Sequence, residues 1–274
     1  MSTVISAEAL QQFAKGKDFL GIDGKVALIT GAGNGIGLAI AHAFAVNGVK
    51  LVLIDIDAHA LQETEDALKV VNPKVEIVSY PLSVTDENAV NQAVDDAVKH
   101  YGRIDILINN AGVSMNKPTL ELTGEEWRRA IDINVNGVFY FARAVGKYMT
   151  QQHDGVILNM ASMYGVVAAP ERAAYCASKA SVAMLTKVLA VEWANQGVRV
   201  NAIAPGYIKT ALVDDLVARG RMDLAALTKR TPVGRLGEIH EIAQLALFLV
   251  SKNASFINGN ISVIDGGWST YSYI

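Results

Sequence analysis

Residues Lys25–Gly37 read KVALITGAGNGIG. Lys25–Thr30 is a short, largely apolar run rich in strand formers, the pattern of a strand buried on both faces. It breaks into a glycine turn, Thr30–Gly37, and then into a helix-like stretch, Ile36–Asn47, closed by Gly48. A strand that runs through glycines into a helix lets backbone N–H groups approach an anion at the positive helix end. Gly31, Gly35 and Gly37 are the key glycines of the turn, and Gly33 is an extra one.

The next strand, Lys50–Asp55 (KLVLID), ends on a carboxylate eighteen residues past Gly37. An acid there hydrogen-bonds the adenine-side ribose of a dinucleotide and repels a 2′-phosphate. Asn34 is uncharged and offers such a phosphate no cation. Together these residues favour NAD(H) over NADP(H). Further strands are expected at Val75–Tyr80, Ile104–Asn109, Val156–Met160, Val198–Ala204 and Ile261–Ile264. Helices are expected at Glu87–Tyr101 and Ala173–Gln196, closed by Gly102 and Gly197. Alternating strands and helices imply an α/β fold, a doubly wound parallel sheet with helices on both faces. Residues 23–274 read as a single domain behind a polar, weakly helical extension over 1–22.

Of the 274 residues, 51% are apolar and 19% charged, enough for a large core. The net charge of −3, with no basic stripe, argues against a nucleic-acid partner. The single cysteine, Cys176, excludes an internal disulfide and fits a reducing compartment. The first residues lack a basic segment followed by a long apolar run, and no stretch approaches about 18 uninterrupted apolar residues. A cytoplasmic protein without a membrane span is expected. The five histidines show no metal-ligand spacing, so no metal is expected.

Ser162 closes a strand, and Tyr175 and Lys179 follow on the next helix, four residues apart. Positions four apart share a helix face. An ammonium beside a phenol favours the phenolate and lowers its pKa from about 10, which makes it a usable general acid or base. The hydroxyls of Ser162 and Tyr175 would converge on one substrate oxygen. Singly, these residues are ordinary: a strand-end cap and two surface helix positions. No G-x-S-x-G elbow surrounds Ser162, so it is not read as a nucleophile. Met115, Met163 and Tyr164 follow strand ends, where they either line a pocket or join the core. Arg128 and Arg129 read as solvent-facing, or as meeting the acidic surface of an acyl carrier protein were that the partner.

These pieces, with NNAG at Asn109–Gly112, DINVNG around Asn134, YCASK at Tyr175–Lys179, PG at Pro205–Gly206 with Thr210, and IDGG at Ile264–Gly267, resemble the short-chain dehydrogenase/reductase family from Lys25 to Trp268. The resemblance implies a Rossmann sheet of seven strands, ordered 3-2-1-4-5-6-7, and a homotetramer. It implies Tyr175 as acid/base, Lys179 lowering its pKa and holding the nicotinamide ribose, Ser162 on the substrate carbonyl, and Asn134 holding a helix bend and a relay water. It further implies a cofactor site of Gly31, Asn34, Gly35, Ile36, Gly37, Asp55, Ile56, Ser83, Val84, Asn110, Ala111, Gly112, Tyr175, Lys179, Pro205, Gly206, Ile208 and Thr210. Ser83 stands where the family often has Asp or Asn, so its adenine contact is a departure.

Three functions follow. The first is an NAD-dependent dehydrogenase of a secondary alcohol, polyol or sugar acid, which Asp55 supports. The second is a 3-oxoacyl-thioester reductase acting on acyl carrier protein. The third is a non-catalytic NAD-binding regulator or scaffold, against which the intact Asn134, Ser162, Tyr175 and Lys179 set weighs. Ala177–Trp193 is apolar nearly all round, and such a helix needs cover on two sides; one would be the sheet, the other a partner subunit. The lid, expected over Tyr207–Arg230, carries no legible substrate code.

Overall fold

The computed structural model describes residues 19–210, 213, 217, 220 and 222–272. The strands are β1 (Val26–Thr30), β2 (Lys50–Asp55), β3 (Ile77–Pro81), β4 (Ile106–Asn109), β5 (Gly155–Met160), β6 (Val198–Pro205), β7 (Ile208–Lys209), β8 (Gly237–Glu238) and β9 (Ile261–Ile264). Seven form one parallel sheet in the order β3-β2-β1-β4-β5-β6-β9, and β7 and β8 pair separately. The expected seven strands and their order are present. The third and fourth begin at Ile77 and Ile106, two residues later than their apolar runs suggest.

Side-chain alternation along each strand divides the core in two. Ala27 and Ile29 point to one face, with Ile40 and Phe44 of the Gly35–Val46 helix and Ile242 and Leu249 of the Ile239–Val250 helix. Val26 and Leu28 point to the other, with Val90, Val94, Phe141 and Val145 from the Glu87–Tyr101 and Gly137–Gln152 helices. Phe44 and Phe141 are fully buried, each contributing roughly 1.5–3 kcal/mol of transfer free energy. Residues Phe19–Ile22 already pack on this body: Ile22 lies in the core, and Asn253 donates to the Phe19 carbonyl at 2.6 Å. The rest of the expected extension, 1–18, lies outside the described residues.

The long helix Ala173–Trp193 continues into a 3-10 turn, Ala194–Gln196, and ends at Gly197 with φ 77°. By length and mean hydropathy, 1.2, the Ala173–Gln196 stretch could cross a membrane. Here, however, it is a core helix: Leu189 and Ala190 pack with β5 and β6, and Val182 with Ala202 and Ala204. Its outer face leaves Met184, Val188 and Val191 exposed.

Strand order reverses at β1, which has β2 on one side and β4 on the other. In doubly wound sheets ligands bind beyond the carboxyl ends of the strands at this reversal.

Candidate active site

A cleft of about 870 Å³ opens there. One end is the glycine turn. Gly33 is not spare: a Cβ on it would lie 2.8 Å from Ala60 Cβ and 3.0 Å from Asp55 Oδ2. Its N–H donates to Asp55 Oδ2 at 2.9 Å, while Oδ1 accepts from Asp57 N at 3.1 Å. The acid at the end of β2 is thereby held against the turn. Gly37 does not line the cleft; it packs against the Gly31 carbonyl, where a side chain has no room. Asn34 caps the Gly35–Val46 helix without a side-chain hydrogen bond, unlike Asp57 and Asp86 on the next two helices. The first-turn N–H groups thus lack a carboxylate cap and suit a phosphate.

Thr30, Asn110 and Ala111 tie this turn to β4. Thr30 Oγ1 accepts from the N–H groups of Asn110 and Ala111 at 3.0 Å, and Asn110 Nδ2 donates to the Thr30 and Gly31 carbonyls at 3.1 and 3.0 Å. The Asn110 amide is therefore committed to the turn, although the residue also lines the cleft. Ile36, Ile56, Val84 and Gly112 line the same wall. Ser83 does so too, with its hydroxyl paired to Thr85 Oγ1 at 2.8 Å, a local turn contact. Pro205, Gly206, Ile208 and Thr210 complete the far side.

The chemical end gathers Ser162, Tyr175 and Lys179 around the carboxyl end of β5. Ser162, buried, caps a 3-10 turn by accepting from Tyr164 N at 3.2 Å and lines the cleft together with the Tyr175 phenol. Burial pushes the Tyr175 pKa up, and the Ser162 hydroxyl and the Arg172 charge pull against it. This corrects the expectation that Lys179 lowers the phenol. The ammonium sits 5.8 Å from the centre of the Tyr175 ring and donates to the Met160 carbonyl at 2.7 Å. A buried ammonium needs an acceptor, and the β5 carbonyl supplies one. Burial alone brings the Lys179 pKa down to about 8.

Asn134 is fully buried and does not line the cleft. It sits in a π-helical turn, Asp132–Asn136, where the Gly124–Ile131 helix passes into Gly137–Gln152. Its Oδ1 accepts from Val113 N at 2.8 Å, and its Nδ2 donates to Val113 O at 2.9 Å and Ser178 Oγ at 3.0 Å. The side chain is a clamp between the segment after β4 and the Tyr175 helix.

Met163 and Tyr164 line the cleft while largely buried; Met115 does not line it, although Ser114 and Asn116 do. Three further residues contribute. Arg129 borders the cleft while remaining exposed, in keeping with its solvent-facing reading. Tyr207 meets Tyr164, hydroxyl to hydroxyl at 3.0 Å, and packs on Trp268 with ring centres 5.1 Å apart. Arg172 stacks on Tyr164. No cluster of metal-ligating side chains occurs among the described residues. Of the expected lid, 211, 212, 214–216, 218, 219 and 221 lie outside them.

Residues 31–269 match a family model described as enoyl-(acyl carrier protein) reductase. The chain is 42% identical over 248 residues to D-threitol dehydrogenase of Mycolicibacterium smegmatis, covering 90% of this chain and 94% of that one. It is 38% identical over 246 residues to 3-oxoacyl-[acyl-carrier-protein] reductase FabG of Thermotoga maritima, covering 90% and 98%. The chain belongs to the short-chain dehydrogenase/reductase family. A crystal structure of NAD+-bound xylitol dehydrogenase superposes with a TM-score of 0.84 at 36% identity, covering 90% of this chain and 99% of that one. As a short-chain dehydrogenase/reductase the protein is an oxidoreductase of alcohol and ketone groups on small molecules, working with a nicotinamide cofactor. The uncapped helix end, the Asp55 carboxylate and the glycine cradle fit such a cofactor.

Proposed function

We propose that the protein is an NAD(H)-dependent dehydrogenase of a small secondary alcohol or ketone, a polyol or sugar acid, with Tyr175 as general acid and base. The observation that carries this reading is the convergence of Ser162, Tyr175 and Lys179 at the carboxyl end of β5, in the cleft that Asp55 also lines. When bound, the nicotinamide group supplies or accepts the hydride. The residues from Gly31 to Ile36, with Asp55, Ala111, Gly112 and the Pro205–Thr210 stretch, would hold the dinucleotide.

Tyr175 gives its proton to the carbonyl oxygen in reduction and takes the hydroxyl proton in oxidation. Ser162 donates a hydrogen bond to the same oxygen and fixes it within reach of the phenol. Lys179, its ammonium 5.8 Å from the centre of the phenol ring, would hold the nicotinamide ribose beside Tyr175. Asn134 keeps the Tyr175 helix in register with the wall after β4. Asp55 would meet the adenine-side ribose and disfavour a 2′-phosphate, which supports NAD(H). The likeness to NAD+-bound xylitol dehydrogenase and to D-threitol dehydrogenase supports both the cofactor and the polyol class.

The second reading, a 3-oxoacyl-thioester reductase, has the 38% identity to FabG behind it. Initial rates with NAD(H) and NADP(H) against polyols, secondary alcohols, sugar acids and 3-oxoacyl thioesters separate the two. Turnover of none of the alcohols or ketones overturns the proposal, and turnover of the thioesters alone, with NADPH, selects the second reading.

A further inference from the structure

The cleft is electrostatically lopsided. Among the described residues, Asp55 is the one acid lining it, at the end of β2, whereas Arg129, Arg172 and Lys179, in segments after β4 and β5, are cations. Lys179 is accounted for by the Met160 carbonyl. Arg172 is not accounted for. Its guanidinium carbon lies 5.0 Å from the centre of the Tyr164 ring, and among the described residues it has no acid partner and donates no hydrogen bond. Stacking on a tyrosine face orients the guanidinium plane and leaves its N–H fork open. An arginine held in a partly desolvated cleft without an acceptor costs free energy unless a ligand provides one.

The backbone enforces this placement. The preceding residue, Glu171, adopts φ 62°, the left-handed region that non-glycine residues avoid, and its carbonyl is fixed by Lys117 N–H at 2.7 Å. Strain of this kind persists where the surroundings over-determine it, and it clusters at ligand sites. Arg172 then enters the cleft three residues before Tyr175.

We infer that Arg172 is a specificity-determining residue that takes a substrate carboxylate on its N–H fork, so that the preferred substrate is a hydroxy acid or oxo acid rather than a neutral polyol. This inference rests on the alcohol–ketone reading of the cleft. A planar carboxylate matches the guanidinium fork in two parallel hydrogen bonds. Arg129, exposed on the Gly124–Ile131 helix at the cleft, adds attraction at longer range.

The test compares an aldonic acid, the alditol of the same carbon skeleton and that alditol's phosphate ester, in wild type, Arg172→Gln and Arg172→Lys. The expected ratio of kcat/KM for acid over alditol is at least tenfold in wild type. It falls by about 10- to 100-fold in Arg172→Gln, the range for losing a charged hydrogen bond, and recovers in part in Arg172→Lys. Because Arg172 also acts on Tyr175 through its charge, the ratio is the readout: both substrates share that proton transfer. Wild type alone gives a second measure, since raising ionic strength should slow the acid and spare the alditol. An alditol that matches the acid in wild type overturns the inference, as does a preference that survives Arg172→Gln. Preference for the phosphate ester overturns the carboxylate assignment. If simple secondary alcohols turn over and no acid does, this inference fails alone; if no alcohol or ketone turns over, the alcohol–ketone reading fails with it.

Discussion

The Lys179 ammonium donates to the Met160 carbonyl at 2.7 Å, joining the Tyr175 helix to the end of β5. Its pKa of about 8 in the fold lies below its ordinary 10.5, with burial as the cause. Between those values the unfolded chain binds more protons than the folded one, so stability rises with pH across that window. Below pH 8 the full cost of the buried charge is carried. Lys179→Met should therefore stabilise the fold at pH 7 by on the order of 2 kcal/mol while abolishing turnover. The gain should shrink as pH rises towards 10.5. Urea unfolding of both proteins at several pH values measures it, and a difference that is flat with pH sinks the assignment.

Tyr175 titrates above its ordinary 10 because it is buried. At neutral pH the phenol therefore holds its proton, the form that ketone reduction uses. Alcohol oxidation needs the phenolate and should rise about tenfold per pH unit between pH 7 and 9, while reduction stays nearly level. A pH profile of kcat/KM in both directions is the measurement. An oxidation profile that levels off below pH 7 would show that bound dinucleotide lowers the phenol strongly.

Removing the hydroxyl isolates its chemical role. Tyr175→Phe should cut kcat by about 10²- to 10⁴-fold, with dinucleotide affinity changed little. Single-turnover rates and fluorescence titration distinguish this from a binding defect; undiminished turnover refutes the role.

Cofactor choice is assigned to Asp55 and the glycine it touches. Asp55→Ser should shift the NAD(H)/NADP(H) ratio of kcat/KM towards NADP(H) by about tenfold or more, one repulsive contact being worth at least about 1.4 kcal/mol. Gly33→Ala should weaken both cofactors, because its Cβ displaces the carboxylate and Ala60 together. A wild-type preference for NADP(H) contradicts the Asp55 argument.

Met184, Val188 and Val191 leave an apolar stripe on the outer face of Ala173–Trp193. A stripe of that kind marks an interaction surface. Light scattering should find an oligomer at micromolar protein, and Val191→Asp should shift it towards smaller species. A wild-type monomer would discard the partner subunit expected from that helix.

Periodicity made the sheet legible because each strand is short, apolar and buried on both faces. β7 and β8, two residues each, owe their pairing to contacts between distant segments and leave no local trace. Within the cleft, motif residues such as Asp55, Ser162 and Tyr175 were readable by type and spacing. The acceptor of Lys179 was not, because a main-chain carbonyl has no sequence signature. Arg172 was also hidden: nothing in its local sequence marks a cation that faces the cleft, and the left-handed turn at Glu171 that places it is visible only in the fold.

The wide turn at Asp132–Asn136 amounts to one residue more than a regular helix would use. Deleting Val135 would let the two flanking helices run on as a single rod, swinging Asn134 about a quarter of a turn away from Val113 and Ser178. With the bonds of a fully buried amide broken, such a rod would melt earlier as well as turn over more slowly, and melting curves and rates on the same deletion variant would register both losses together.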